Sequence, residues 1–223
     1  MKILLQSVVA VAVLCGGLNT RAFAGEPIQL FNGENLRGWQ AYLSQHSVAR
    51  RDVWNVQDGL LVCQGEPMGY LYTNQKFENF KLVVEWRWAP GTKPGNNGVL
   101  MRINGEPRPL PRCIEAQLQH GNAGDLYGFH GMKISGDAER KVDNKTTGPA
   151  GHIQGVKKIR GNENPPGEWN RYEIILDGPK LTVSVNGQKV NEATDCEAIA
   201  GPVGIQSEGG VIHFRKIELT PLD

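Results

Sequence analysis

Trp54-Asn55-Val56-Gln57-Asp58-Gly59-Leu60-Leu61-Val62-Cys63 decides the fold. Two short runs of aliphatic, aromatic and β-branched residues flank Asp-Gly, and a two-residue type I′ turn needs positive φ at both central positions, which Asp-Gly tolerates. The stretch predicts a β-hairpin. The signal returns where Leu181-Thr182-Val183-Ser184-Val185 and Gln188-Lys189-Val190 flank Asn186-Gly187. Outward from these hairpins, residues 69–73, 80–88, 98–103, 113–119, 171–176, 203–207 and 211–219 carry strand composition. Apart from residues 1–24, no window sustains apolar spacing at i, i+3, i+4 and i+7. Roughly ten short strands without intervening helices predict an all-β sandwich or barrel and argue against βαβ units. The length suits one domain, residues 25–223.

Two stretches do not read as strand. Residues 105–112 form a Pro-rich connection, and 137–168 are polar and rich in Gly, Lys and Asn. A loop as long as the second is functional or disordered in a compact domain. It is expected to rim or cover a site on the sheet.

Residues 1–24 have the layout of a secretory leader: Lys2, an apolar run over 3–18, and Ala22-Phe23-Ala24 as a cleavage signal. Export to the periplasm or the extracellular space is expected. The run is short for a membrane span, and Asn19 and Arg21 interrupt it. Losing Lys2 and Arg21 with the leader leaves 22 basic against 23 acidic residues. A chain so close to neutral offers no electrostatic case for nucleic acid or an anionic membrane surface as partner. Cys63, Cys113 and Cys196 remain, an odd number without metal-ligand spacing. They read as small buried residues, with one disulfide as the alternative.

Chemistry is concentrated on the polar faces of the strands. In Leu82-Val83-Val84-Glu85-Trp86-Arg87-Trp88, period two puts Glu85 and Arg87 opposite Leu82, Val84, Trp86 and Trp88. Arg102 lies opposite Val99, Met101 and Ile103. Glu115, Gln117 and Gln119 share a face opposite Ile114, Ala116 and Leu118, and His120 follows. A solvated sheet face is the ordinary explanation of such alternation. Glu, Arg, Gln and His, however, hydrogen-bond sugar hydroxyls through planar, bidentate groups, so these faces point to a saccharide groove. The five histidines show neither H-x-x-x-H nor H-E-x-x-H, and Gly-x-Ser-x-Gly and a P-loop are absent.

Leu30-Phe31-Asn32-Gly33, Leu36-Arg37-Gly38-Trp39, Gly69-Tyr70-Leu71-Tyr72-Thr73, Asn96-Asn97-Gly98 with Arg102, Glu115-Ala116-Gln117, Gly167-Glu168-Trp169-Asn170 and Gly204-Ile205-Gln206 occur in an order that resembles the 3-keto-disaccharide hydrolase family, also described as 3-keto-glucoside 1,2-lyases and 3-keto-2-hydroxyglucal hydratases. The resemblance spans nearly all of the chain after the leader. Asn97 stands where the family pattern has Ser, and Glu208 where it often has His. The resemblance implies a concanavalin-A-like jelly-roll sandwich of two antiparallel sheets and cleavage of 3-keto-glucosides by elimination and hydration. A C3 ketone acidifies the C2 proton, so such an enzyme needs a base, an acid and a group that holds the enolate. The expected roles are Glu115 as base, His120 as acid or alternative base, and Arg102 or Arg87 as enolate stabiliser. Gln117, Glu85 and Gln206 are expected to bind hydroxyls. No motif demands a cofactor; a divalent metal ion held by His and Glu is the alternative to the arginine. Two-carboxylate hydrolysis by Glu85 and Glu115 is a second chemistry, and a sugar-binding module without turnover is the rival class.

Overall fold

The structure, a computed structural model, describes residues 25–223, and the leader expected at 1–24 lies outside the described residues. In chain order the first strands are β1 (Ile28–Gln29), β2 (Trp39–Leu43), β3 (Trp54–Gln57), β4 (Leu60–Cys63), β5 (Gly69–Thr73), β6 (Phe80–Trp88), β7 (Gly98–Asn104) and β8 (Arg112–Gln117). They continue as β9 (Leu126–Gly128), β10 (Lys141–Lys145), β11 (His152–Val156), β12 (Asn170–Asp177), β13 (Lys180–Val185), β14 (Gln188–Ala193), β15 (Gly204–Ser207) and β16 (Ile212–Pro221). The helix α1 (Arg50–Val53) is a single turn before β3.

The expected hairpins form. Gln57 pairs with Leu60 across Asp58-Gly59, at φ 50° and 77°, and Val185 pairs with Gln188 across Asn186-Gly187, at φ 50° and 79°. These are the positive dihedrals that a type I′ turn demands.

Two antiparallel eight-stranded sheets face each other. The back sheet runs β14-β13-β12-β6-β16-β4-β3, with β1 on β16, and the site sheet runs β10-β11-β9-β8-β7-β15-β5-β2. Leu82, Val84, Trp86 and Trp88 of β6 meet Val99, Met101, Ile114, Ala116 and Leu118 in one buried core. The molecule is a jelly-roll sandwich. Burial of each such side chain contributes about 1.5–3 kcal/mol. The outward face of the site sheet carries a second apolar cluster, in which Tyr70, Leu100, Ile103, Cys113 and Phe129 are joined by Leu110 from the 105–112 connection. Cys63, Cys113 and Cys196, the cysteines among the described residues, are buried and free.

Two expectations are corrected. Residues 137–168 are not one structureless loop: β10 and β11 pair from Lys141↔Val156 to Lys145↔His152, and β11 joins β9, so the hairpin widens the site sheet. Alternation along β7 also breaks. Gly98 and Leu100 face outward and Val99 and Met101 inward, but the register shifts between Met101 and Asn104, where Arg102 takes φ 53°. A bulge re-aims the side chain it carries, so Arg102 leaves the outward face and Ile103 returns to it.

Candidate active site

A cavity of about 320 Å³ opens on the outward face of the site sheet, where Glu115, Gln117, Asn96, Glu208, Tyr127 and Lys157 contribute polar walls. Leu110, Phe129, Val142 and Ile153 supply the apolar ones. A small-molecule site commonly has this mixture and about this size. β8 delivers Glu115 and Gln117 on alternate positions, and the cross-strand partner of Glu115 is Tyr127. The rim hairpin β10–β11 delivers Val142, Asn144 and Ile153.

Glu115 is 1 % exposed, and its Oε1 has no hydrogen-bond partner among the described residues. The room for it is made by Gly98, since a Cβ there would lie 2.0 Å from that oxygen. Burial, with the charges of Glu208 and Asp125 adding to it, holds the Glu115 carboxyl well above the usual glutamate range. Glu208 is also raised by burial, although the amide of Gln206 opposes the shift. Glu208 Oε2 accepts from Asn96 Nδ2 at 2.8 Å and from Gln206 Nε2 at 2.7 Å. These bonds favour its charged form. Glu115 has no comparable support, and Gln117 Nε2 approaches its Oε2 only to 3.5 Å. Glu208 is therefore the more readily ionised of the two, because its charged form has hydrogen-bond donors that Glu115 lacks and its charge adds to the burial that raises Glu115.

A second polar group faces the same space. Asp125 is 2 % exposed; its Oδ1 accepts from Lys158 N at 2.8 Å, and its Oδ2 from Lys157 Nζ at 2.8 Å and Tyr127 Oη at 3.1 Å. Lys157 Nζ also donates to Tyr127 Oη. Tyr127 stacks on Phe129 with centroids 6.2 Å apart.

The structure brings some of the expected site residues together and separates others. Glu115 and Gln117 line the cavity. The side-chain oxygen of Gln117 accepts from Leu118 N and Gln119 N at 2.9 and 2.8 Å, which leaves its NH₂ end for the cavity. Gln206 is buried behind Glu208 and buttresses it. His120 is exposed in an adjoining recess of about 650 Å³ that shares Asn96 and Glu208 with the cavity. Arg102 is elsewhere: after the bulge its guanidinium donates to the carbonyls of Glu78, Gly178 and Glu197 at 2.7–3.1 Å. It ties loops together and has no access to the cavity. Glu85 and Arg87 lie on the outer face of the back sheet, with the core between them and Glu115. Glu85 accepts from Arg171 at 2.9 Å and Arg215 at 2.6 Å, and Arg87 and Arg215 each lie 4.5 Å from the Trp169 ring centroid. The Glu85–Glu115 pair is thereby replaced by Glu208–Glu115. Among the described residues no three His, Cys, Asp or Glu side chains gather as a metal-holding group, so no residue is assigned to a metal.

Sequence reasoning missed Asn96, Asp125, Tyr127 and Lys157, and noticed Glu208 only as a departure from a pattern. Asn96 adjoins the Asn97-Gly98 step and was within reach. β9, at three residues, is too short to show a period. Lys157 follows a hairpin that the polar composition of 137–168 hid.

A model of the 3-keto-alpha-glucoside-1,2-lyase-like domain matches residues 26–220. The chain is 22 % identical to a 3-keto-disaccharide hydrolase of Bacteroides thetaiotaomicron over 88 % of its own length and 78 % of the relative's. A presumptive glycosyl hydrolase of Parabacteroides distasonis superposes with a TM-score of 0.64 at 18 % identity, covering 89 % of this chain and 94 % of that one. A β-glucanase of Bacillus licheniformis does so at 0.53 and 13 % identity, covering 88 % and 97 %. These structural likenesses show the fold.

Proposed function

The chain belongs to the 3-keto-alpha-glucoside-1,2-lyase-like family, and on that premise we propose that it is an exported enzyme that cleaves glycosidic bonds of 3-keto-glucosides, 3-keto-disaccharides among them, by elimination and hydration. The leader-like residues 1–24 support export. The observation that carries the chemistry is the buried Glu115 carboxyl, open at Oε1 and facing the same cavity as the hydrogen-bonded Glu208.

The two carboxyls divide the work by their protonation. Glu208, as carboxylate, takes the C2 proton of the keto sugar, and the electron pair forms an enolate between C2 and C3. The ketone then re-forms, C1=C2 forms, and the C1–O1 bond breaks as Glu115 protonates the leaving oxygen. In the hydration half, Glu115 takes a proton from water as its oxygen adds to C1, and Glu208 returns a proton to C2. Both groups end as they began, and the net reaction is hydrolysis. The base role expected for Glu115 thus becomes an acid role in the first half and a base role in the second. Asn96 and the Gln117 NH₂ are placed to bind hydroxyls, and the recess at His120 to accept the leaving group.

The test is cleavage of a 3-keto-glucoside and its unoxidised counterpart in D₂O, followed by NMR. Released 3-keto-glucose should carry deuterium at C2 beyond an enzyme-free control. Glu208→Gln should lose exchange and cleavage together, whereas Glu115→Gln should keep exchange and lose cleavage. Cleavage without deuterium at C2 rejects the elimination route. Sugar binding without turnover on either substrate makes the protein a binding module.

A further inference from the structure

Two carboxyls account for the protons but not for the negative charge that the C3 oxygen acquires in the enolate. The arginines expected for that task are not in the cavity. A lysine is. An ammonium has three N–H donors. Lys157 spends one on Asp125 Oδ2 at 2.8 Å and one on Tyr127 Oη, and its third has no partner among the described residues. Tyr127 Oη gives its own proton to Asp125 at 3.1 Å, so the phenol is a poor competitor for a ligand oxygen. Asp125, buried and pinned through Oδ1 by Lys158 N, fixes both. Lys157 and Tyr127 line the cavity with Glu115, whose cross-strand partner is Tyr127.

Resting on the 3-keto reading above, we propose that Lys157 is a catalytic residue whose free N–H binds the C3 oxygen of the keto sugar and stabilises the charge that oxygen gains when the C2 proton leaves, with Asp125 and Tyr127 as positioning residues. No bond to the lysine forms or breaks; the ketone is polarised, the enolate is held, and the ketone is released. A preorganised donor aimed at developing charge contributes more than the same donor in water, because it needs no reorganisation during the step. The alternative use of a lysine near a ketone, an imine, requires the neutral amine. Burial favours the neutral form, but the hydrogen bonds and charges of Asp125 and Tyr127 outweigh burial and raise the Lys157 pKa overall. That amine stays an ammonium.

The probe is the 3-ketone of 1,5-anhydroglucitol, which has no exocyclic leaving group at C1, with C2 hydrogen exchange in D₂O read by NMR. The wild type should exchange. Lys157→Met should slow exchange by about 10²–10³-fold, the usual loss of one oxyanion donor, while binding of unoxidised 1,5-anhydroglucitol, which develops no charge at C3, stays close to wild type. Lys157→Arg should recover part of the rate. Tyr127→Phe should lower the exchange rate less than Lys157→Met does, with the KM for the ketone little changed. A shift of the ¹³C3 carbonyl resonance on binding should vanish in Lys157→Met, a readout that a structural role would not move. Wild-type exchange with an equal rate in folded Lys157→Met overturns the lysine role and leaves the parent reading standing. Borohydride trapping of the ketone on Lys157 overturns it in favour of an imine. No exchange and no cleavage by the wild type sinks the parent reading and this inference with it.

Discussion

Gly98→Ala should damage catalysis through one contact. Gly98 does not sit in the left-handed backbone region, so alanine asks only for volume there. The volume is taken: the three nearest atoms to a Cβ all belong to Glu115, with Oε1 at 2.0 Å, Cδ at 2.7 Å and Cγ at 2.8 Å. Ordinary contact begins at 3.4 Å, so Oε1 must retreat by about 1.4 Å. Misplacing a reacting group by about 1 Å costs about 10²-fold, and overpacking a filled site costs about 1–3 kcal/mol. The assay pairs 3-keto-glucoside cleavage with urea unfolding of the wild type, Gly98→Ala, Glu115→Ala and the double variant. Removing the Glu115 side chain empties the contested space, so Gly98→Ala should have almost no effect on stability in the Glu115→Ala background. The cycle should then show a coupling of about 1–3 kcal/mol, which for a domain of this size is a Tm difference of about 2–4 °C per kcal/mol. Gly98→Ala with wild-type turnover, or with the same loss of stability in both backgrounds, refutes the placement of Glu115 over Gly98.

Stability should fall as pH rises because of Glu115. Its folded pKa is raised above the ordinary 4.5. Between those two values the folded state therefore binds more protons than the unfolded state, and stability declines by up to about 1.4 kcal/mol per pH unit. Urea midpoints of Glu115→Gln across pH 4–8 should lack this component, and parallel wild-type and variant slopes would count against a buried acid. Arg102→Met should destabilise by about 3 kcal/mol or more by stranding the carbonyls of Glu78, Gly178 and Glu197, with kcat of the folded protein unchanged; lost kcat at intact Tm would return Arg102 to the active site. Arg87→Ala should leave kcat/KM unaltered, since Arg87 lies over Trp169 on the back sheet, and a tenfold loss would place function on that face.

The alternation that exposed the architecture also set its limits. Period two correctly separated Trp86 and Trp88 from Glu85 and Arg87, and Ile114 and Ala116 from Glu115 and Gln117, because a strand obeys it without exception while it stays regular. It does not say which of two sheets a polar face belongs to. Glu85 and Glu115 therefore looked equivalent, although their faces point to opposite sides of the sandwich. Arg102 failed for a different reason. Its bulge is a backbone event with φ 53°, and nothing in Val99-Leu100-Met101-Arg102-Ile103 announces it. Asn97-Gly98, by contrast, was readable as a motif but not as physics. Only the Glu115 carboxyl seated over Gly98 explains why that strand must begin with glycine.

Glu208 gives the departure from the family pattern a consequence. An imidazole at this position would be neutral or cationic near neutral pH, and a cation there would draw the proton from Glu115. A carboxylate does the reverse: its charge adds to burial in keeping Glu115 protonated. The amides of Asn96 and Gln206 then stabilise the negative charge on Glu208 and leave Glu115 without equivalent donors. One fold thus gives two chemically identical side chains different tendencies to ionise through differences in their neighbours. In the elimination and hydration proposed above, Glu208 returns in the second half the proton it takes in the first, and Glu115 regains the one it gives, so the proposed cycle leaves the separation intact.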